Sequence, residues 1–257
     1  MEIDFRLAQD DDFPAIASLL SVGNNPYGWS ERKLRYYYRE YTEASTIASV
    51  AMHEGGTAVG FYGAQGVRVG EYFVISGAHA MVDPEYRGHH LWGTVLEVLC
   101  EEGRRLGAKF LMGYANPRFT MAIVNRYGYI LTGYAHFVDV DEVDYSPYRE
   151  RLRFNYSDAW YEWKFGFLAD YYLKEYDRGQ QTYLQLHKAR IDKVVAPPGR
   201  RLNLWHPAAY SREDPGIWSQ SVAIKPLVDG LDQEIFDIHN WQFDMADNDS
   251  IEFREWT

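Results

Sequence analysis

The spacing of apolar residues in the first half of the chain predicts strands and helices in alternation. Residues 3–8 read as a strand, and the acids at 10–12 place negative charge where a helix N-terminus favours it. Apolar residues follow at helical spacing, and Ser30 is placed to cap a second helix that runs to about residue 41. Three strands are expected next, at about 46–53, 57–65 and 71–82.

The next helix is a clearly amphipathic segment. It is predicted at about 89–106, where Leu91, Val95 and Leu99 share one stripe and charged side chains take the opposite face. It follows a short loop that begins at Pro84. A strand at 109–114, a helix at 117–126 and a strand at 129–138 complete a mixed α/β pattern.

The second half is predicted to be rich in strands. The acidic stretch 139–148 lacks apolar periodicity and contains a proline, so we place a domain boundary there. An aromatic helix is expected at about 160–176, and alternation predicts strands at 182–187, 201–205 and 221–225. The predicted organisation is a first domain at 1–139, a linker at 140–159 and a β-rich C-terminal extension at 160–257.

The composition is that of a globular protein with many aromatic side chains. The 257 residues are 46% hydrophobic, 25% charged and 16% aromatic. The formal net charge of −11 argues against sequence-independent binding to nucleic acid or anionic lipid. We therefore expect no nucleic-acid partner, and a polyanionic ligand would need a local site.

Cysteine usage and hydropathy predict where the protein works. Cys100 is the only cysteine, so an intrachain disulfide and a thiolate zinc cluster are both excluded. No run of about 18 apolar residues occurs, and acids occupy the N-terminus where a signal peptide needs a basic flank. The expectation is a cytoplasmic protein without membrane insertion. The histidines lack metal-ligand spacing, so no metal site is predicted.

The loop before the long helix has the pattern of an anion-binding turn. A strand, an Arg-Gly turn and a helix start bring several backbone N–H groups together, and the helix dipole adds positive potential. Such a turn can hold a diphosphate without a metal or a Walker lysine. Taken alone, Arg87-Gly88 is equally compatible with an ordinary surface turn.

Three segments together resemble the GCN5-related N-acetyltransferases. The first is Val82-Asp83-Pro84-Glu85-Tyr86-Arg87-Gly88 with the helix that follows it. The second is the opening Arg6-Leu7-Ala8 with the first helix, and the third is Asn116 followed twelve residues later by Gly128-Tyr129. The resemblance covers about residues 1–138. It implies an acetyltransferase-type mixed sheet flanked by helices, the α/β (α+β) class, here with a β-rich C-terminal extension.

The resemblance also implies acetyl-CoA as co-substrate and assigns residues to it. Backbone groups of Met81 and Val82 would contact the pantetheine arm, where the strand splays from its neighbour. Asn116 would lie near the thiol end. The pyrophosphate would be cradled by the turn and helix start, namely Arg87, Gly88, His89, His90, Leu91 and Trp92.

Two positions depart from the family pattern. His90 stands where the family's loop usually has a small residue, so its side chain must turn away from the diphosphate or hydrogen-bond to it. Val124 stands where the family often has the tyrosine that protonates the departing thiolate. Tyr127 and Tyr129 lie nearby, and packing is the simpler role for each.

The reaction implied is direct attack of a neutral amine on the thioester, which needs a base. His79, on the strand that leads into the loop, is the predicted base because imidazole titrates near neutral pH. A histidine packed on the helix side of the sheet is the competing interpretation. Glu71 and Tyr72, at the start of the same strand, are the alternatives.

The leading hypothesis is an acetyl-CoA-dependent N-acetyltransferase whose acceptor is a small-molecule amine, such as an amino sugar or its nucleotide. A homodimer is compatible with the sequence. Aromatic segments of the second half, among them 160–164 and 240–243, resemble longer acetyltransferase-like proteins associated with surface polysaccharide biosynthesis. Two rivals stay open: a non-catalytic acyl-CoA sensor, and a carbohydrate-binding interaction protein on the same fold.

Overall fold

The described residues contain five α-helices, each of which overlaps a segment where the apolar spacing predicts a helix. The structure, a computed structural model, describes residues 2–22, 29–40, 45–115, 117–165, 171–189, 192–213 and 219–243. The helices are α1 Phe13–Val22, α2 Glu31–Arg35, α3 Leu91–Arg105, α4 Pro117–Tyr127 and α5 Asp158–Phe165. A π-helical turn, Tyr36–Glu40, continues α2. Within the described ranges, no helix has both the length and the apolar character needed to cross a bilayer.

Thirteen strands are present in the described ranges, and they confirm the mixed α/β class predicted from the sequence. The strands of the first half are β1 Ile3–Leu7, β2 Thr46–His53, β3 Thr57–Val69, β4 Tyr72–Val82, β5 Phe110–Ala115 and β6 Ile130–Val140. The later strands are β7 Glu142–Asp144, β8 Phe154–Asn155, β9 Tyr171–Arg178, β10 Gln181–Ala189, β11 Lys193–Val195, β12 Arg200–Trp205 and β13 Ser219–Pro226.

The chain forms two compact units. The first comprises Met1–Met112 with Leu227–Asp229, and the second comprises Gly113–Pro226 with Gly230–Thr257. In the first unit the strand order is β1-β2-β3-β4-β5. All neighbours there run antiparallel except β4 and β5, which are parallel and are joined through α3. The pattern of a parallel pair with a helical crossover within an otherwise antiparallel sheet is the mixed arrangement expected.

One irregularity interrupts the pairing of β3 with β4. The three residues 62–64 of β3 lie opposite the four residues 77–80 of β4. Strand β4 therefore carries a β-bulge at Ala78 and His79, opposite Gly63. A bulge of this kind breaks the strict alternation of side chains and re-aims one of them.

In the second unit, β6 is paired along both edges. It runs antiparallel to β12 on one side and to β13 on the other, while β10 runs parallel to β12 and antiparallel to β9. The sheet order is β13-β6-β12-β10-β9, and β7 pairs with β11 separately. An apolar cluster lies between these elements, built from Val143, Tyr145, Leu184, Val194, Leu202 and Leu204.

The predicted aromatic helix at 160–176 is only partly correct. Helix α5 ends at Phe165, and residues 171–178 form β9 instead. Pairing with β10 along almost the whole of β9 explains the difference, because cross-strand pairing overrides a weak helical preference.

The expected division of the chain at residue 139 falls within the second unit. β6 ends at Val140, and both strands that flank it come from the C-terminal extension of the prediction. A domain boundary at residue 139 would therefore separate β6 from β12 and β13, the two strands that pair with it.

An ion pair fixes the start of the first unit. Arg6 donates to both carboxylate oxygens of Asp12, at 2.5 and 2.8 Å, and the backbone N–H of Gln9 donates to the same carboxylate at 2.6 Å. Asp12 is only 6% exposed. The Arg6 guanidinium and the Gln9 amide hold the pKa of the Asp12 carboxyl below its ordinary value of 3.8, against the opposing effect of burial.

We predict that Asp12→Asn lowers the free energy of unfolding at neutral pH by about 1 to 3 kcal/mol, since charged hydrogen bonds are lost. Because the folded-state pKa of Asp12 is lowered, the stabilisation is complete above its ordinary value and disappears as the pH falls through the lower folded value. Urea denaturation at about pH 7 and about pH 2.5 measures both effects.

Asp4→Asn is the matched control. Asp4 also pairs with Arg6, but its side chain is 64% exposed, and an exposed pair of this kind contributes about 1 kcal/mol at most. Equal losses of unfolding free energy in Asp12→Asn and Asp4→Asn would contradict the assignment. So would an equal loss of unfolding free energy in wild type and Asp12→Asn as the pH is lowered.

Candidate functional site

The loop between β4 and α3 is ordered by local hydrogen bonds. The side chain of Asp83 accepts from the backbone N–H of Glu85 at 2.9 Å and so caps the short helical turn Pro84–Tyr86. The backbone N–H of Asp83 donates to the carbonyl of Val59 at 3.0 Å. These contacts fix where the chain turns away from the sheet before Arg87.

The residues that follow adopt left-handed backbone conformations. Gly88 has a φ of 87° and His90 a φ of 60°, and His90 is the non-glycine residue with positive φ within the described ranges. Arg87, Gly88, His89 and His90 are exposed. A left-handed residue next to a helix start turns successive N–H groups toward one side, and this arrangement forms an anion-binding concavity.

The N-terminus of α3 has no internal cap. His90 occupies the capping position without a side-chain hydrogen bond to the helix, and the first turn contains no acidic residue. Helices usually place a carboxylate or hydroxyl there because the first N–H groups lack helical acceptors. The exposed end of this 15-residue helix therefore has positive potential and unused donors for an anion.

The predicted pantetheine-binding residues lie on a strand with an open edge. Met81 and Val82 pair with β3 on one side. On the other side β4 pairs with β5 at Ile75 and Ser76, and within the first unit that pairing stops at Met112. Along 77–82, the backbone N–H and C=O groups that point away from β3 therefore pair with no strand among the described residues of this unit. Extended amide groups of a ligand can hydrogen-bond to such an edge.

Two of the predicted phosphate-binding residues have structural side chains. Leu91 is 4% exposed and belongs to the core. The Trp92 ring stacks on Tyr62, with centroids 4.8 Å apart. Any contact of these two residues with a diphosphate would have to use their backbone N–H groups, whereas Arg87, His89 and His90 have exposed side chains.

His79 lies in an aromatic cluster on the face of the sheet opposite to α3. Its Nδ1 atom is 2.9 Å from the hydroxyl of Tyr38. Its ring centroid is 4.0 Å from that of Trp29 and 5.1 Å from that of Tyr37, both in edge-on arrangements. The histidine is half-buried. Whether it acts as base stays a prediction, and the cluster defines the surroundings in which it would act.

A buried cation belongs to the same cluster. The Lys33 side chain is 6% exposed, and its Nζ lies 4.7 Å from the centroid of the Trp29 ring. Ammonium groups are attracted to the face of an indole, most strongly when desolvated. The cluster around His79 thus combines aromatic rings with a buried lysine side chain.

The alternative bases lie at the far end of β4. Glu71 is exposed in the turn before the strand, and the Tyr72 ring packs edge-on against Phe110 at 6.2 Å. Both precede His79 by seven residues or more, which corresponds to roughly 20 Å along a strand. The structure thus keeps them apart from the aromatic cluster.

The remaining predicted positions belong to the second unit. Asn116 lies outside the described residues, so its predicted place near the thiol end stays a prediction. Val124 is half-buried on α4. Tyr129 is 3% exposed and packs close to Gly113, where an added Cβ would be 3.2 Å from its ring, and this placement fits a packing role.

Aromatic residues of the C-terminal extension also pack against one another. Trp160 is 2% exposed and stacks on Tyr156 at 3.6 Å, and Trp163 is 8% exposed. The side chains of Tyr171 and Tyr172 lie outside the described set. Trp160 thus has one face covered by its own unit.

Sequence reasoning missed Tyr38 and Gly63. Tyr38 is one of three consecutive tyrosines at 36–38, a run that reads only as an amphipathic helix. Its hydroxyl reaches His79 because Gly63 has no side chain: a Cβ at that position would overlap the Tyr38 oxygen. A glycine inside a predicted strand was the available signal, since it marks a bulge or a close approach.

Comparisons with known proteins give structural matches only. No protein-family model matches the chain, and no curated protein does. Among solved structures, an acetyltransferase of Trypanosoma brucei is 20% identical, with a TM-score of 0.43, and the match covers 48% of this chain and 90% of that one. Glucosamine-6-phosphate N-acetyltransferase of Arabidopsis thaliana is 15% identical, with a TM-score of 0.43 and coverages of 49% and 90%.

A third similar structure was solved with a ligand. It is a GNAT superfamily phosphinothricin acetyltransferase of Sinorhizobium meliloti in complex with acetyl-CoA, 21% identical, with a TM-score of 0.45 and coverages of 53% and 79%. GCN5-related acetyltransferases, which the sequence resembles, thus also occur among the structural matches. With TM-scores below 0.5, these matches carry no argument about a reaction, for which this chain's own residues are the evidence.

We predict that His90→Gly stabilises the protein by about 0.5 to 1 kcal/mol, because a non-glycine residue is sterically disfavoured in the left-handed region. For a protein of this size the melting temperature should rise by about 1 to 3 °C. His89→Gly is the control, since the described φ values give His89 no left-handed strain to relieve. A lower melting temperature for His90→Gly than for wild type would show that the loop conformation is not strained.

Proposed function

We propose that this protein transfers an acetyl group from acetyl-CoA to the amine of a small molecule. The observation that carries the proposal is the uncapped N-terminus of α3, which follows the left-handed residues Gly88 and His90 at the end of an open-edged strand. A diphosphate can take the place of the missing cap, and an extended amide-containing arm can follow the edge of β4.

The residues present suit the diphosphate of such a co-substrate. Backbone N–H groups at 88–91 have no acceptor within the described residues, and Arg87 adds an exposed guanidinium. The net charge of −11 does not oppose this, because a local concavity with a helix dipole outweighs distant, screened charges. Asp83 uses its carboxylate to cap the preceding turn.

His79 is the residue proposed to take the proton of the amine, directly or through a water. The amine nitrogen forms a bond to the thioester carbonyl carbon, the carbon–sulfur bond breaks, and the proton of the amine passes to the imidazole. The departing thiolate is a fair leaving group, so it can take its proton from solvent. Because Val124 stands in place of the family's tyrosine acid, the reaction would be slower but would still proceed.

The acceptor proposed is a small amine, with an amino sugar or its nucleotide as the class to test first. Amino sugars carry hydroxyl groups beside the amine, and aromatic rings with polar edges suit such polyhydroxylated molecules. Lys33, whose Nζ lies 4.7 Å from the centroid of the Trp29 ring, belongs to the cluster around His79. CoA release from acetyl-CoA against a panel of amines, amino sugars and peptides tests the proposal.

We predict that acetyl-CoA binds at the start of α3 and that Gly88→Ala weakens this binding by about tenfold or more. At about 100 times its dissociation constant, acetyl-CoA should stabilise the wild type by roughly 2.7 kcal/mol. Gly88→Ala strains a left-handed position and places a methyl group in the concavity. Isothermal titration calorimetry measures the affinity, and thermal unfolding measures the stabilisation.

Gly107→Ala is a closely matched control. Gly107 ends the same helix with a φ of 86°, against 87° at Gly88, and an added Cβ meets no atom within 4 Å at either position. Both variants should lose similar stability, but only Gly88→Ala should lose affinity. If acetyl-CoA produces no heat and no thermal shift with wild-type protein, both the enzyme and the acyl-CoA sensor are excluded.

We predict that His79→Gln lowers turnover by roughly 100-fold or more while acetyl-CoA affinity stays near wild type, because only proton transfer is affected. His239→Gln is the control, since His239 is exposed in a short helical turn of the second unit. Steady-state kinetics with the best acceptor of the panel measures the effect. Wild-type turnover in His79→Gln would remove the base role, and binding without any turnover in wild type would favour the sensor.

A further inference from the structure

We propose that Tyr38 is a positioning residue that holds the imidazole of His79 by its Nδ1 atom, so that Nε2 is the nitrogen that exchanges a proton. The catalytic part of this inference rests on the proposed function. The structural part rests on one hydrogen bond, of 2.9 Å between the Tyr38 hydroxyl and His79 Nδ1. No sequence pattern indicates this pair, which is separated by 41 residues.

Tyr38 is rigid enough to position another side chain. It is 1% exposed, and its ring lies 5.7 Å from that of Phe61 in an edge-on arrangement. Its carbonyl accepts from the Thr46 hydroxyl at 2.8 Å and from the Arg39 guanidinium at 3.0 Å. Both the backbone and the ring are thus held, and a held hydroxyl can fix the orientation of its partner.

Two backbone irregularities meet at this hydrogen bond. Tyr38 lies in the π-helical turn 36–40, and His79 lies in the bulge of β4. Each departure from regular geometry costs free energy, and both kinds are frequent at functional sites. Gly63 lies between them and leaves the space that the Tyr38 ring fills, since any side chain at this position would collide with the ring.

The hydrogen bond decides which nitrogen can react. In the tautomer that carries its proton on Nδ1, His79 donates Nδ1–H to the phenol oxygen of Tyr38, and Nε2 keeps the lone pair that takes up a proton. After that uptake the imidazolium still donates its Nδ1–H to the phenol oxygen. Bonds to a charged group are about twice as strong as those between neutral groups, so Tyr38 favours the protonated state that follows amine attack. Loss of the hydroxyl should therefore affect turnover more than ground-state binding.

The test compares Tyr38→Phe with Tyr36→Phe, which makes the same chemical change in the same turn. Protein labelled with ¹⁵N-histidine reports the Nδ1 resonance of His79, and steady-state kinetics reports kcat and KM. For Tyr38→Phe we expect a displaced His79 Nδ1 resonance, a kcat lowered about tenfold and a KM for acetyl-CoA within about twofold of wild type. Tyr36→Phe should leave the resonance and kcat unchanged.

Gly63→Ala supplies a second route to the same result, because its methyl group would displace the Tyr38 ring. An unchanged Nδ1 resonance in Tyr38→Phe would overturn the hydrogen bond. A displaced resonance with unchanged kcat would overturn the positioning role. If wild type transfers acetyl to no amine while the resonance still responds to Tyr38→Phe, the proposed function fails and the hydrogen bond is supported.

Discussion

The bulge in β4 is the constraint on which the candidate site depends. Gly77 faces α3, where the Tyr62 hydroxyl fills the space of a missing Cβ, and strict alternation would direct His79 to that same face. Two residues of β4 opposite Gly63 change the register. His79 is therefore directed to the face covered by residues 29–40, and the outer edge of the same strand stays available.

The first unit contains both a buried carboxylate with hydrogen-bond partners and a helix start without a cap. Near β1, the buried carboxylate of Asp12 is fully engaged by Arg6 and by a backbone amide, so the interaction is structural. At α3 the helix start has neither a capping side chain nor an acidic first turn. A donor that lacks an acceptor costs free energy unless water or a ligand supplies one. This contrast between engaged and unengaged groups is the physical ground for placing a ligand at α3.

The second unit holds the end of β5 by a chain of hydroxyl groups. The Ser221 hydroxyl donates to the carbonyl of Ala115 at 2.7 Å, so the buried Thr120 hydroxyl must donate to the Ser221 oxygen. This short chain joins α4 and β13 to the last residue of β5, which immediately precedes Asn116 along the chain.

The sequence by itself determined the local elements, the amphipathic α3 and the loop at Arg87-Gly88, because apolar period, turn residues and helix dipole act over a few residues. It also placed His79 on the strand before that loop. The tertiary structure decided that β9 is a strand, that β6 lies between strands far away in sequence, and that His79 meets Tyr38 across Gly63. Those outcomes depend on cross-strand register and on side chains distant in the chain, which no local pattern encodes.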